Sequence, residues 1–203
     1  MLPVTFGAVV LAGYLFGSCP WGYWLVRIFR GEDVRRAGSG NIGATNVWRT
    51  YGRSLGLPVV VLDLLKGFVP AFVGVVLVSH LCGVVAGAAA MLGHWRPLYL
   101  RFEKGGKIVA TGAGVFLALS LWVGLIAGAV WGAVFVLTRY ASIASIIAAA
   151  SLPVSAAALG SPASVIVLAA IAAVAVFVLH RGNLRRLRAG TESRARLRRT
   201  AHV

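Results

Sequence analysis

Acidic residues are scarce in this 203-residue chain: 5 Asp and Glu stand against 20 Lys and Arg, a formal net charge of +15. The few carboxylates are scattered, which excludes a clustered carboxylate site for divalent metal and the metal-dependent phosphoalcohol transfers that need one. The 2 cysteines, Cys19 and Cys82, both lie in apolar segments, so neither a disulfide framework nor a zinc site is expected. They read as small buried hydrophobes. Charge of either sign is thin, at 12% of residues against 59% hydrophobic, with a mean hydropathy of +0.87. That composition excludes a soluble domain, which needs a charged surface. Strict apolar/polar alternation over strand-length segments is also missing. The apolar residues come instead in continuous Val/Leu/Ala/Gly blocks, which argues against a β-barrel. The first apolar run, from Val4 to Leu25, has no charged segment before it and no convincing cleavage site, so it reads as a span and not a signal peptide.

What is present is a set of apolar runs near the ~20 residues that cross a bilayer as a helix. The fold class expected is an all-α polytopic integral membrane protein. The spans fall at residues 4–26, 55–78, 82–98, 108–120, 122–138, 142–159 and 162–180. Every Lys and Arg except Lys66 flanks the first, third or fifth connection or follows the last span. The connections near Ser79-His80, Ser120 and Gly160-Ser161-Pro162 carry no charge. The positive-inside rule then predicts about seven spans, the N-terminus outside and the C-terminus cytoplasmic. Lys107 and Arg139 share a side only if the chain crosses twice between them, so the fourth and fifth helices are predicted to be short. A single transmembrane domain is expected over 1–192, with a basic, lipid-attracted tail over 193–203. The positive charge fits an anionic lipid surface better than nucleic acid.

This topology collects three polar segments on one face. "GSGNIGATNVWRTYG", Gly38 to Gly52, supplies Gly40 and Gly43 for close backbone approach, Ser39, Asn41, Thr45 and Asn46 as neutral hydrogen-bonding groups, and Arg49 as a phosphate-gripping guanidinium. It fits a phosphate cradle and a flexible turn with a headgroup arginine equally well. "GHWRPLYLRFEKGGKIVATG" places Lys104 and Lys107 around Gly105 and Gly106, ahead of a helix start, with Thr111 about one turn on. Flanking charge explains the lysines but not the glycine pair. It is not a Walker A loop. "HRGNLRRLRAGTE" puts His180 and Asn183 on one helical face, with Glu192 further on. His94 is expected to orient the second segment. Asp63 and Lys66 lie within the second span at pairing distance and read as a structural lock or a site wall. Arg139-Tyr140 with Ser142 and Ser145 reads as polar packing.

Together with "GSCPWGY", "DLLKG" and "TRYASIASI", these segments resemble the PlsY family, the bacterial acyl-phosphate-dependent glycerol-3-phosphate acyltransferases, over nearly the whole chain. The family pattern in the second segment reads Phe-Lys/Arg-Gly-Gly-Lys-Gly-Val-Ala-Thr. Here Glu103 stands between Phe102 and Lys104, and Ile108 replaces the glycine after Lys107.

The resemblance implies transfer of a fatty acyl group from acyl phosphate to the 1-hydroxyl of sn-glycerol 3-phosphate, giving lysophosphatidic acid and phosphate. It implies no cofactor and no metal, a monomer, and an active site on the cytoplasmic face of the bacterial cell membrane. It assigns Ser39, Arg49, Lys107, His180 and Asn183 to the catalytic centre. Gly40, Asn41, Gly43, Thr45 and Asn46 are assigned to the acceptor loop, Lys104, Gly105, Gly106 and Thr111 to the second phosphate-binding segment, and Glu192 to pairing with a loop cation. The proton acceptor is His180 or a substrate phosphate. A transporter of phosphorylated or anionic solutes is the rival from another class. Its short, uncharged outer connections count against it.

Overall fold

The computed structural model describes residues 2–195, and among these it is helical with no strand. Residues 196–203, which hold most of the predicted basic tail, lie outside the described residues. The helices in chain order are α1 (Leu2–Gly17), α2 (Trp21–Arg30), α3 (Ala44–Tyr51), α4 (Arg53–Leu77), α5 (His80–Trp95), α6 (Val109–Leu119), α7 (Leu121–Thr138), α8 (Ala141–Ala158), α9 (Ala163–Leu179) and α10 (Arg181–Arg188). Short 3₁₀ turns occupy Val34–Arg36 and Leu98–Leu100.

Six of the seven predicted spans match single helices within a few residues. The first does not: it breaks at Ser18–Pro20 into α1 and α2. Pro20 has no N–H to donate, and its ring disfavours the helical conformation at Cys19. The break frees the Cys19 carbonyl inside the protein. Lys66 of α4, fully buried, donates to it at 2.8 Å and pairs with Asp63 at 2.8 Å. The pair in the second span is thus a structural lock at a broken helix. The two charges pair with each other, and the ammonium also has the Cys19 carbonyl, the condition under which buried charges are tolerated.

Pro3–Arg30 taken together, α4, α7 and α8 are long and apolar enough to cross a membrane, and α9 joins them if counted with α10, from which it is bent by 50°. Helix α6 has only 11 residues. At 1.5 Å per residue it covers roughly half of a ~30 Å hydrocarbon core.

The helices pack at backbone distance. A methyl group at Gly17 would sit 2.2 Å from the Ala90 carbonyl oxygen, which joins α1 to α5. Methyl groups at Gly67 and Gly114 would each meet a carbonyl oxygen across the α4–α6 seam at 2.0 Å. One buried cluster, including Val115, Phe116, Val123, Leu168 and Val176, fills the bundle. A second, of Val26, Val34, Ile42, Val47, Leu55, Val59 and Leu100, sits under the first polar segment. It fastens α2 and α3 to α4.

Two of the uncharged connections meet at one end, where His80 Nε2 lies 3.4 Å from the Leu119 carbonyl and Pro3 and Phe6 border Val78 and Ser79. The three polar segments and the α7–α8 turn converge at the other end. There Ala195 N–H donates to Arg139 O at 2.9 Å, docking the start of the tail on that turn.

Candidate active site

The first polar segment is organised around Asn46. Its Oδ1 accepts the Ser39 N–H at 2.8 Å, and its Nδ2 donates to Ala37 O at 3.0 Å and Asn41 O at 2.9 Å. Asn46 is 3% exposed. It is the scaffold of this segment and does not face solvent. Asn41 does similar work, accepting the Gly43 N–H at 2.8 Å and donating to Gly105 O at 3.2 Å, so it joins the first segment to the second. Gly38 has φ +58°, and a side chain there would also strike Asn46 Oδ1. Gly40, at φ +69°, completes the turn. Ser39, Thr45 and Arg49 are exposed on the resulting surface.

In the second segment, α5 stops at Trp95 and the chain doubles back. Gly105 N–H donates to Trp95 O and Gly106 N–H to His94 O, both at 2.9 Å. These N–H groups are therefore committed within the protein, and the backbone phosphate cradle expected at Gly105-Gly106 is not formed by them. The glycines serve close approach: a methyl at Gly106 would sit 1.9 Å from His94 Nε2, and one at Gly105 would sit 2.2 Å from His94 O. His94 orients this segment through its backbone and its ring. Thr111 departs from its expected role. It is fully buried against Gly67 of α4, and its hydroxyl has no hydrogen-bond partner. The α4–α6 contact turns it into the bundle, away from the polar surface.

Lys104 is exposed, and Glu103 pairs with Arg35, which also holds Asp33 at 2.7 Å. The residue that departs from the family pattern thus ties the second segment to the first. Ile108, the other departure, adopts φ +58° and keeps the left-handed turn that glycine would make without strain. A β-branched residue there costs on the order of 1–3 kcal/mol.

Lys107, Asn183 and Glu192 form one chain of contacts. The Lys107 ammonium donates to Asn183 Oδ1, and Asn183 Nδ2 donates to Glu192 Oε1 at 2.6 Å. The Glu192 carboxylate also accepts from Ser142 of α8 at 3.0 Å and from Arg186 of α10 at 2.7 Å. Desolvation pulls the Glu192 carboxyl upward, but the hydrogen bonds from Asn183, Arg186 and Ser142 outweigh it, and its pKa falls below the usual carboxylate value. Burial drives the Lys107 ammonium down to about 8, and Arg186, Lys104 and Arg49 push the same way against Glu192. Three of these neighbours are cations, so an incoming dianion would relieve their mutual repulsion. His180 lies just beyond α9, with Nδ1 2.8 Å from Val176 O. With Nδ1–H donated there, Nε2 is left as an acceptor. Burial, followed by the Lys107 charge, lowers the imidazole to about 4. His180 is therefore neutral near pH 7 and is a weak base.

The structure brings Lys107, His180, Asn183 and Glu192 together, with Arg49 close enough to act on Lys107. It adds Arg186, which sequence reasoning missed, and Ser142, which was expected only as polar packing. Arg186 follows Asn183 by one helical turn on the same face, a legible signal. Ser142 arrives from a different helix, and no spacing along the chain could reveal it. The ensemble of a cationic cluster, exposed hydroxyl and amide groups, and a neutral imidazole suits two phosphate-bearing substrates and a carbonyl that gains negative charge.

The comparisons agree with this chemistry. A family model described as Glycerol-3-phosphate acyltransferase matches residues 7–190. A glycerol-3-phosphate acyltransferase of Desulforamulus reducens is 42% identical over 193 residues, covering 95% of this chain and 96% of the relative. That of Rhodospirillum rubrum is 45% identical over 202 residues, covering 96% and 93%. Crystal structures of PlsY, an integral membrane glycerol 3-phosphate acyltransferase, superpose closely. The glycerol 3-phosphate form gives a TM-score of 0.91 at 38% identity, covering 95% of this chain and 96% of that one. The lysophosphatidic acid form gives 0.86 at 37%, covering 94% and 95%. The chain belongs to the glycerol-3-phosphate acyltransferase family of integral membrane proteins.

Proposed function

We propose that this chain transfers a fatty acyl group from acyl phosphate to the 1-hydroxyl of glycerol 3-phosphate. The observation that carries this reading is the Lys107–Asn183–Glu192 network, which joins the second and third polar segments in a chain of this family. Arg49 and Lys107 neutralise substrate phosphate and the charge that develops on the carbonyl oxygen. Ser39 and Asn183 orient the reactants. The acceptor hydroxyl oxygen attacks the acyl carbon, the bond from that carbon to the phosphate oxygen breaks, and inorganic phosphate leaves. The hydroxyl proton passes to phosphate oxygen, a role His180 suits poorly because its low pKa makes it a weak base. Its Nε2 accepts the hydroxyl hydrogen bond and fixes the line of attack. An acyl phosphate is already activated, so no acyl-enzyme is required.

The finer topology is part of the same reading: seven spans, with the N-terminus outside and the C-terminus and active site on the cytoplasmic side of a bacterial membrane. The convergence of the charged connections at one end supports it. Of the two helices expected to be short, α6 has 11 residues and covers only part of the hydrocarbon core, whereas α7, with 18, is long and apolar enough to cross. The protein works as a monomer in this reading.

The test is phosphate release by purified protein in lipid, with acyl phosphate and with or without glycerol 3-phosphate. Acceptor-dependent release with lysophosphatidic acid formed supports the reading. Turnover with acyl-CoA or acyl carrier protein alone changes the donor. Accumulation of a stable acylated protein overturns the direct attack.

A further inference from the structure

Among the described residues, the non-glycine positions with positive φ are Arg101, Phe102, Ile108 and Arg139. Three of these are exposed ends of turns. Ile108 is different in two respects. It is β-branched, the residue type least tolerant of the left-handed region, and it is buried, at 4% exposure. A strained residue persists only where its surroundings hold it there, so such outliers direct attention to what they position.

Ile108 stands between Lys107 and the first residue of α6. Its carbonyl accepts the Gly112 N–H at 2.8 Å, so its backbone starts the helix while its φ turns the preceding chain out of the helical path. Its side chain belongs to the buried cluster that also contains Val115 of α6 and Val176 of α9. Val176 is the residue whose carbonyl holds His180 Nδ1. The cluster that buries Ile108 therefore also seats the end of α9, which leads through His180 into α10, the helix that carries Asn183.

We propose that Ile108 is a positioning residue for Lys107: its anchored side chain holds the left-handed turn that aims the ammonium at Asn183. A glycine at this position could make the same turn but could equally leave it. Isoleucine reaches it only when buried, so burial of this side chain and placement of Lys107 become one event. The alternative is that Ile108 merely fills space, with the turn imposed by Gly105-Gly106 ahead of it and the start of α6 behind it.

This inference rests on the proposed role of Lys107, so the experiment includes Lys107→Ala beside Ile108→Gly, Ile108→Ala and Ile108→Val. Each variant is purified in lipid, its folding checked by thermal melting, and kcat and KM measured for glycerol 3-phosphate and acyl phosphate. Positioning predicts that Ile108→Gly lowers kcat/KM by about tenfold or more in folded protein. Ile108→Val, which keeps the branched anchor, should restore most of it. Ile108→Ala, which keeps backbone restriction and loses the anchor, gives the same comparison if the glycine variant does not fold. Normal turnover in both Ile108→Gly and Ile108→Ala, with only a lower melting temperature, overturns the inference and leaves Lys107 in place. Normal turnover of Lys107→Ala overturns the role of Lys107 and the inference with it.

Discussion

Asn46 offers a sharp test, because its sequence assignment and its structural position predict different phenotypes for one substitution. Asn46→Ala removes four hydrogen bonds: one accepted from Ser39 N–H, two donated to Ala37 O and Asn41 O, and a longer one donated to Val34 O at 3.5 Å. Each contributes about 0.5–1.5 kcal/mol net, so the ordered form of the loop loses about 3 kcal/mol relative to open forms. Since every ~1.4 kcal/mol is a factor of ten in an equilibrium, the loop's ordering equilibrium moves by roughly a hundredfold. The bundle beneath is held by its own core, so the loss is local. The assay pairs thermal melting and protease sensitivity of residues 34–46 with kcat/KM for glycerol 3-phosphate. The expected result is faster cleavage in the loop, a modest fall in melting temperature, and kcat/KM lowered by about ten- to a hundredfold. Asn46→Asp should not rescue, because a carboxylate cannot donate to Ala37 O and Asn41 O. Unchanged protease sensitivity with the same kinetic loss would place Asn46 on the substrate and refute the scaffold argument.

Four further outcomes follow from the same geometry. Lys107 is charged below about pH 8 and loses its proton as pH rises through that value; kcat/KM should therefore fall on the alkaline side with a limb near 8, and the limb in kcat should lie higher because bound phosphate favours the ammonium. Glu192→Gln keeps the shape but withdraws the carboxylate that Asn183, Arg186 and Ser142 share, so turnover should drop by about tenfold or more with a lower melting temperature; an unchanged melting curve would show that the three partners hold one another without it. Gly105→Ala forces a methyl onto the His94 carbonyl, and loss of folded yield or of nearly all activity is expected on expression and assay. Lys66→Met leaves Asp63 buried without a partner and should cost about 3–5 kcal/mol in unfolding, whereas adding Asp63→Asn should recover most of the loss in a melting experiment.

Hydropathy and charge located the helices well because a span declares itself locally, through an unbroken apolar run ended by Arg, Pro or Gly. The misplaced feature, the break between α1 and α2, was also local in origin. Pro20 was visible, but a proline can sit in the first turn of a helix or end one. What decides between these is which partners the backbone groups at the break can find, and here Lys66, from a helix far along the chain, adds a donor for the Cys19 carbonyl. The same residue looked ambiguous in sequence for the same reason: a buried cation is interpretable only once its acceptors are known.

The polar centre divides along that line too. Lys107, Asn183 and Glu192 were legible through the family resemblance, since the positive-inside rule alone already explains a lysine beside a span. Their glycine-rich surroundings were legible as unusual but not as to purpose. Gly105 and Gly106 carry N–H groups that a phosphate could use, and spacing cannot tell an offered N–H from one already given to His94 or Trp95. Thr111 shows the complementary limit. One helical turn past Lys107 puts it near the site along the axis, but which way it faces is set by where Gly67 lets α4 approach α6. The glycines of this chain therefore act mainly as permissions for contact: they let two backbones meet at the α1–α5 and α4–α6 seams and beneath the second polar segment. In the proposed reaction, phosphate binding is left to cations, Arg49, Lys107 and Arg186, that the tight bundle brings to one end. A substitution at a seam glycine should consequently reach the site through the bundle, lowering activity and melting temperature together, whereas Arg49→Ala should remove activity and leave the melting curve in place.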